Sequence, residues 1–337
     1  MLRWFIRVLL VGVILLGFPT ESPAPLVYRP GEGFTYEAPG SEGKWTRARA
    51  KDQLEVAQQA FEKKNYGLAI KAARRTVKVW PTSDYAPEAQ YLLARCYEAK
   101  GNAEKAFKEY QRLLEKHPKF ASRQEVLQRQ FEIANRYLAG KWFRFQGLVP
   151  LFPSMSRTVA MYEKIIKNGP YSAVAPQAQM NIGAAREKQE NIFNRIDPFR
   201  EAVQAYETAA DRYRDNKQVA SDATYKAGMA YLRQALKADY DQSVAGQAIN
   251  TFDDFSTLYP DDPRVPEARE TIASLKREQA RGAFAIARYY EKHKKWTAAA
   301  IYYSECRLRD PSGPLAEEAL RRLDVVKNRT GTATTSK

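Results

Sequence analysis

Small and apolar residues recur along most of this chain at helical spacing, in segments separated by short turns. The clearest segment is Ala283 to Pro311, AFAIARYYEKHKKWTAAAIYYSECRLRDP, where Ala287, Tyr290, Ala299, Tyr303 and Pro311 stand at offsets 0, 3, 12, 16 and 24. Ala94, Tyr97, Ala106, Tyr110 and Pro118 repeat those offsets, and so do Ala57, Ala60, Ala69, Ala73 and Pro81. Residues three and four apart share a helix face, so each set describes one helix, a tight turn and a second helix that ends at proline.

The pattern predicts helices over Lys51 to Lys63 and Tyr66 to Val79, then Tyr85 to Lys100 and Ala103 to Lys116, with Gly101-Asn102 as the turn. Arg123 to Leu138 pairs with Ser156 to Lys167, Ala175 to Asn191 with Pro198 to Arg214, and Val219 to Leu236 with Ser243 to Leu258. A long helix from Pro263 to Lys292 leads into the last pair, and Leu315 to Lys327 closes the series. A second signature keeps this register. Pro81, Pro170, Pro260 and Pro311 each precede an alanine by eight positions, namely Ala89, Ala178, Ala268 and Ala319. Pro87, Pro176 and Pro266 fall in a first helical turn, where proline is tolerated, and Ser83 or Asp84, Ser172 and Asp262 are placed to cap.

Paired helices at a period of about 34 residues are the tetratricopeptide unit. The fold class expected is all-α, a tetratricopeptide-type right-handed α-solenoid of about six helix pairs plus a closing helix. Residues 1–25 read as an export signal or N-terminal anchor, because Arg3 and Arg7 precede the apolar run Val8 to Phe18, too short for an ordinary membrane span. Residues 26–46 read as a Pro/Gly-rich leader, extended and weakly structured: a plain linker or, through its aromatics Tyr28, Phe34 and Tyr36, a segment that docks on a partner or on the solenoid. The solenoid is expected over 47–328 with an apolar insertion at 140–155, and 329–337 as a disordered tail.

Composition narrows function more than fold. The only histidines are His117 and His293, each near a helix end where positive charge suits the dipole. No phosphate-binding loop or nucleophile elbow occurs, and the carboxylates fall at helix-surface spacings, so no enzyme is expected, and neither a cofactor, a metal nor a small-molecule substrate. Cys96 and Cys306 lie in repeats near opposite ends of the array and read as small buried residues, not a disulfide. The net charge of +15 favours anionic surroundings. Lys44 to Trp80 is strongly basic, and Lys71, Arg74, Arg75 and Lys78 would line one helix. For an exported chain an anionic membrane surface or an acidic protein fits that stripe better than nucleic acid, which is not expected as a partner.

Tetratricopeptide arrays present a concave groove made by the first helix of each pair. With Ala94 as position eight, the groove positions are Glu88, Tyr91, Arg95 and Glu98; Gln58 and Phe61 are equivalents in the first repeat, and Gln128, Phe131 and Asn135 in the third. Aromatic, amide and charged types together suit an extended peptide, whose backbone needs hydrogen-bond partners and whose side chains need apolar contact. The insertion GKWFRFQGLVPLFPSM places Trp142, Phe143, Phe145 and Phe152 in a loop that packs back or touches a partner or membrane. Lys294 and Lys295 beside Trp296 form a further candidate docking edge.

The repeat register, the insertion after the third first-helix, and above all the core ARYYEKHKKWTAAAIYYSE resemble component D of the bacterial outer-membrane β-barrel assembly machinery, the BamD-like family. The resemblance covers about residues 50–328. It implies a non-enzymatic scaffold in the periplasm at the inner face of the outer membrane. Its implied partners are the barrel-forming component, other assembly subunits and unfolded outer-membrane proteins. The family is typically anchored through a lipidated cysteine after the signal, and the first cysteine here is Cys96. That departure keeps a second reading in view, a general envelope scaffold coordinating cell-wall and outer-membrane assembly.

Overall fold

The computed structural model describes residues 26–36, 44–145, 149–152, 154–189, 197–237 and 242–334. Where the repeats predict one array over 47–328, the chain forms two compact units, divided in sequence between Arg123 and Gln124. The first unit holds a hairpin of β1 (Leu26–Arg29) and β2 (Gly33–Tyr36), then α1 (Ala50–Glu62), α2 (Tyr66–Val79), α3 (Ala86–Ala99) and α4 (Ala103–Lys116). The second comprises α5 (Arg123–Leu138) from Gln124 onward, a hairpin of β3 (Phe143–Phe145) and β4 (Val149–Phe152), and eight further helices. These are α6 (Met155–Asn168), α7 (Ala175–Glu187), α8 (Pro198–Arg212), α9 (Lys217–Lys237), α10 (Gln242–Leu258), α11 (Val265–Lys292), α12 (Trp296–Arg309) and α13 (Ala316–Thr334). The fold is all-α of tetratricopeptide type, with six helix pairs and a closing helix among the described residues.

The repeat signature is the core. Ala57, Ala69 and Ala73 in the first pair, Ala94, Ala106 and Tyr110 in the second, and Ala287, Ala299 and Tyr303 in the last have no exposed surface. Alanine on one helix lets the next approach closely, and the tyrosine of the second helix fills the space between them. Ala89, Ala178, Ala268 and Ala319 are fully buried too. Contacts between α1 and α3, and between α7 and α9, stack one hairpin on the next within each unit.

The turns show why the spacing is so regular. The amides of Asn65, Asn102, Lys141 and Lys295 donate to the carbonyls of Ala60, Tyr97, Arg136 and Tyr290 at 2.8, 2.9, 3.0 and 2.9 Å. The residue before each donor has positive φ: Lys64 at 56°, Gly101 at 72°, Gly140 at 100° and Lys294 at 56°. This is the glycine-favouring helix stop, and two of its four copies among the described residues carry lysine. A non-glycine residue there bears about 1 kcal/mol of strain. Lys64→Gly is therefore expected to stabilise the first unit by about 0.5–1 kcal/mol, read as slower amide exchange across α1 and α2. No gain would show the strain to be absent.

Five of the connectors between successive pairs are built from two consecutive tight turns, that between α8 and α9 being the exception. Amides of Ser83, Phe120, Ser172, Asp262 and Gly313 reach back to Trp80, His117, Gly169, Tyr259 and Asp310, and those of Ala86, Arg123, Ala175, Val265 and Ala316 reach back to the first five. Proline occupies the second position every time, where its fixed φ suits the turn. The expected caps are corrected by this geometry. The residues preceding α3, α7 and α11 are Tyr85, Val174 and Arg264, and none caps with its side chain. Ser83 Oγ instead accepts from the Tyr85 amide at 3.2 Å, Ser172 Oγ donates to the Gly169 carbonyl at 2.7 Å, and Asp262 Oδ1 accepts from the Arg264 amide at 3.0 Å. These side chains fasten the connector one turn before the helix.

Both ends of the described chain are more ordered than their composition predicts. The leader pairs Leu26 with Tyr36 and Arg29 with Gly33, and the Tyr28 and Phe34 rings lie 5.1 Å apart, tilted at 53°. Its tip docks on the first unit: the Gly31 carbonyl accepts from Ser83 Oγ at 3.0 Å and from the Asp84 amide at 2.6 Å, with Glu32 buried beside it. At the other end α13 runs to Thr334, past the expected stop at Lys327 and into the expected tail. No proline breaks Val325 to Thr334, and the Arg329 guanidinium lies 5.0 Å over the Trp296 ring, which ties that turn down. The export segment 1–25 and residues 335–337 lie outside the described residues. Among those described, no helix is long and apolar enough to cross a membrane.

Candidate functional site

The first unit gathers most of the expected groove residues into one strip. Arg95 on α3 places its guanidinium 5.5 Å from the Phe61 ring of α1 and 5.7 Å from the Tyr91 ring, and its Nη1 donates to the Tyr91 hydroxyl at 3.3 Å. Tyr91 in turn lies 5.6 Å from Phe120 and 6.1 Å from Tyr110. The Tyr110 hydroxyl donates to Glu98 Oε2 at 2.8 Å, so Glu98 continues the strip along α3. Phe61, Tyr91, Arg95 and Glu98 are all half-buried, each showing one side to solvent, while Gln58 and Glu88 are exposed on the same two helices. Beside Glu88 a cleft of about 420 Å³ is lined by Asp84, Pro87, His117 and Phe120, so Phe120 joins cleft and strip.

Such a surface offers tilted aromatic faces, a cation near two rings, and carboxylates at either side. His117, expected to carry charge at the end of α4, is held the other way. Burial first and the Lys116 charge second lower its pKa, which favours the neutral ring in the cleft.

In the second unit the third-repeat residues divide. Gln128 is exposed and donates to Glu132 at 3.1 Å, and Phe131 packs 6.0 Å from Tyr162. Asn135 points inward, where its Oδ1 accepts from the Tyr162 hydroxyl at 2.6 Å and from Asn181 Nδ2 at 2.9 Å. That triad ties α5, α6 and α7 together, and half-buried Asn135 spends its acceptor within the unit. Leu138 stands where Glu98 stands in the second repeat and supplies no acceptor, so the buried tyrosine turns to Asn135.

The same pairing of a buried tyrosine with a helix-end carboxylate recurs elsewhere. Tyr303 donates to Glu291 at 2.6 Å and Tyr206 to Glu187 at 2.9 Å. Sequence reading missed these locks, although Glu98 to Tyr110 and Glu291 to Tyr303 share a spacing of twelve.

The remaining candidates are scattered. Phe143 is buried, stacked on Tyr137 at 4.1 Å with the Arg157 guanidinium 5.5 Å from its ring, so that end of the insertion packs on its own unit. Trp142 next to it is 52% exposed. Phe145 and Phe152 lie on β3 and β4, with Phe152 opposite Phe143. Lys294 and Lys295 are exposed in the turn before α12, while Trp296 is half-buried under Arg329. Of the basic stripe on α2, Arg74 donates to the Tyr97 hydroxyl and Arg75 lies 5.7 Å over Trp80; Lys71 and Lys78 stay exposed. Cys96 and Cys306 are free and buried, and burial raises both thiol pKa values, that of Cys96 to about 11. Among the described residues no group of three or more His, Cys, Asp or Glu side chains could hold a metal ion.

Comparison with known proteins agrees with the repeat reading. A tetratricopeptide repeat family matches residues 54–119, and the outer membrane lipoprotein family YfiO matches residues 201–337. No curated protein matches the chain. Similar solved structures include residues 41 to the end of MamA from Desulfovibrio magneticus RS-1, at 12% identity over 64% of this chain and 97% of that one, with a TM-score of 0.31. They also include the C-terminal part of a TPR repeat-containing protein from Cytophaga hutchinsonii, at 14% identity over 81% and 88%, TM-score 0.33. A third is pilF of Pseudomonas aeruginosa, at 11% identity over 81% and 97%, TM-score 0.29. The chain is an all-α protein of tetratricopeptide type whose residues 201–337 are similar to an outer membrane lipoprotein family.

Proposed function

We propose that this protein is a non-enzymatic envelope scaffold of outer-membrane β-barrel protein assembly, acting in the periplasm at the inner face of the outer membrane. It binds the barrel-forming component and other assembly subunits, and takes unfolded outer-membrane proteins as extended segments. The observation that carries the reading is the combination, in one chain, of tetratricopeptide hairpins with a C-terminal region similar to an outer membrane lipoprotein family. The half-buried strip of Phe61, Tyr91, Arg95 and Glu98 supplies the peptide-binding chemistry.

Affinity purification from native envelopes with mass spectrometry tests it. Recovery of the barrel-forming component supports this role, and cell-wall enzymes in its absence favour a general envelope scaffold. The strip has its own test. Tyr91→Ala with Arg95→Ala is expected to weaken binding of an unfolded barrel segment by about tenfold or more, measured by calorimetry. The variant should keep its fold, since both side chains are partly solvent-facing. Unchanged affinity in a folded double variant would remove the strip from the binding site.

A further inference from the structure

A concavity of about 620 Å³ lies in the last repeat, between α11, α12 and the end of α13, where no groove residue was expected. Its lining carries four cations, Arg288 and Lys292 from α11 and Arg322 and Arg329 from α13, against one carboxylate, Glu291. That carboxylate is answered already: it accepts from the Tyr303 hydroxyl at 2.6 Å and faces Arg322 at 3.4 Å. Glu318, which is not part of the lining, lies 3.9 Å from the same Arg322. The remaining surface is aromatic. Tyr289 is 58% exposed, and the Trp296 ring is half-buried with Arg329 over it at 5.0 Å.

A lining of four cations, three of them arginines with planar donor forks, is a donor set that matches a phosphate group. The volume is that of a small-molecule site, and the aromatic wall suits the apolar face of a sugar ring. An extended acidic peptide would instead need backbone partners along a groove.

We propose that this pocket binds a phosphorylated sugar or headgroup: the phosphate is held by Arg288, Lys292 and Arg329, and the attached ring rests on Trp296 and Tyr289. The group comes from an anionic lipid surface or from a free phosphorylated metabolite, and the chemistry is the same.

Calorimetry of the full chain with glucose 1-phosphate, and sedimentation with phosphatidylcholine vesicles with and without phosphatidylinositol, test this at low salt. The comparison is Arg288→Gln with Arg329→Gln, its folding checked by circular dichroism; Lys292→Gln with Arg288→Gln serves if loss of the Arg329 contact loosens α13. Wild type is expected to bind the phosphosugar, and the variant to lose about tenfold or more in affinity. Vesicle binding that depends on both phosphatidylinositol and these arginines assigns the lipid source, and phosphosugar binding without vesicle binding assigns the free one. Equal binding by wild type and folded variants, or saturation by a polyglutamate peptide with no phosphosugar binding, overturns the proposal. Its failure would leave the scaffold role standing, which co-purification tests separately.

Discussion

Replacing Arg264 by alanine is expected to destabilise the second unit by about 2–4 kcal/mol. This side chain sits in the connector before α11 and holds three elements at once. Its Nε and Nη2 reach Asp262 at 2.9 and 2.7 Å, Nη1 pairs with Asp222 of α9 at 2.7 Å, and the guanidinium lies 4.7 Å over the Tyr225 ring and 5.5 Å from Phe255 of α10. Alanine would leave two carboxylates close together and uncover the aromatic pair beneath. Lysine is expected to rescue little, because a single ammonium reproduces neither the fork nor the stacking.

Acid separates the ionic part from the packing part. The hydrogen bond from the Arg264 side chain, first, and that from its backbone amide lower the Asp262 pKa from 3.8 to about 2. A folded-state pKa below the unfolded one means that the pair's stabilisation is complete above about pH 4 and is lost as pH falls towards 2. The difference between wild type and Arg264→Ala, read from amide exchange in α9 to α11, should therefore narrow over that range and level off at the contribution of the ring contacts. A difference independent of pH would assign the whole effect to packing.

Arg264 also marks the limit of what was legible in the chain. Helix positions were legible because alanine, tyrosine and proline recur at fixed offsets, and each of those residue types has one job in a packed hairpin. Tyr91, Arg95 and Phe61 could be placed on one face for the same reason, and they meet. The turns were readable where glycine stands, as at Gly101, and hidden where Lys64 or Lys294 adopts the same positive φ. Contacts that join different repeats left no such trace. Asp222 and Arg264 are forty-two positions apart with no repeated partner, and Asn135 reads as a groove residue because its link to Tyr162 exists only where the third repeat lacks a glutamate. Composition misled at the tail, where Thr330 to Thr334 reads as unstructured and α13 continues through it.

Gly183 is the sharpest case of geometry against repeat, and Gly183→Ala is expected to cost about 1–3 kcal/mol. The register puts Gly183 where Ala94 and Ala287 sit in other pairs, so the repeat favours alanine. Helix propensity agrees, since glycine inside a helix costs about 1 kcal/mol relative to alanine. The structure opposes both. A Cβ on Gly183 would stand 2.6 Å from Cδ1 and Cζ of Tyr206 and closer still to Cε1, because that ring lies directly against the α7 backbone. Nor can the ring easily give way: Tyr206 is 1% exposed, its hydroxyl donates to Glu187 at 2.9 Å, and Glu187 is also paired with Arg233 of α9. Admitting the methyl therefore means parting α7 from α8 or breaking the hydroxyl's lock. Amide exchange in α7 and α8 should quicken, and Tyr206→Leu, which removes the ring, should make the added methyl less costly than it is beside tyrosine. Slower exchange in Gly183→Ala would mean that propensity wins and that the close approach of these helices is not a constraint.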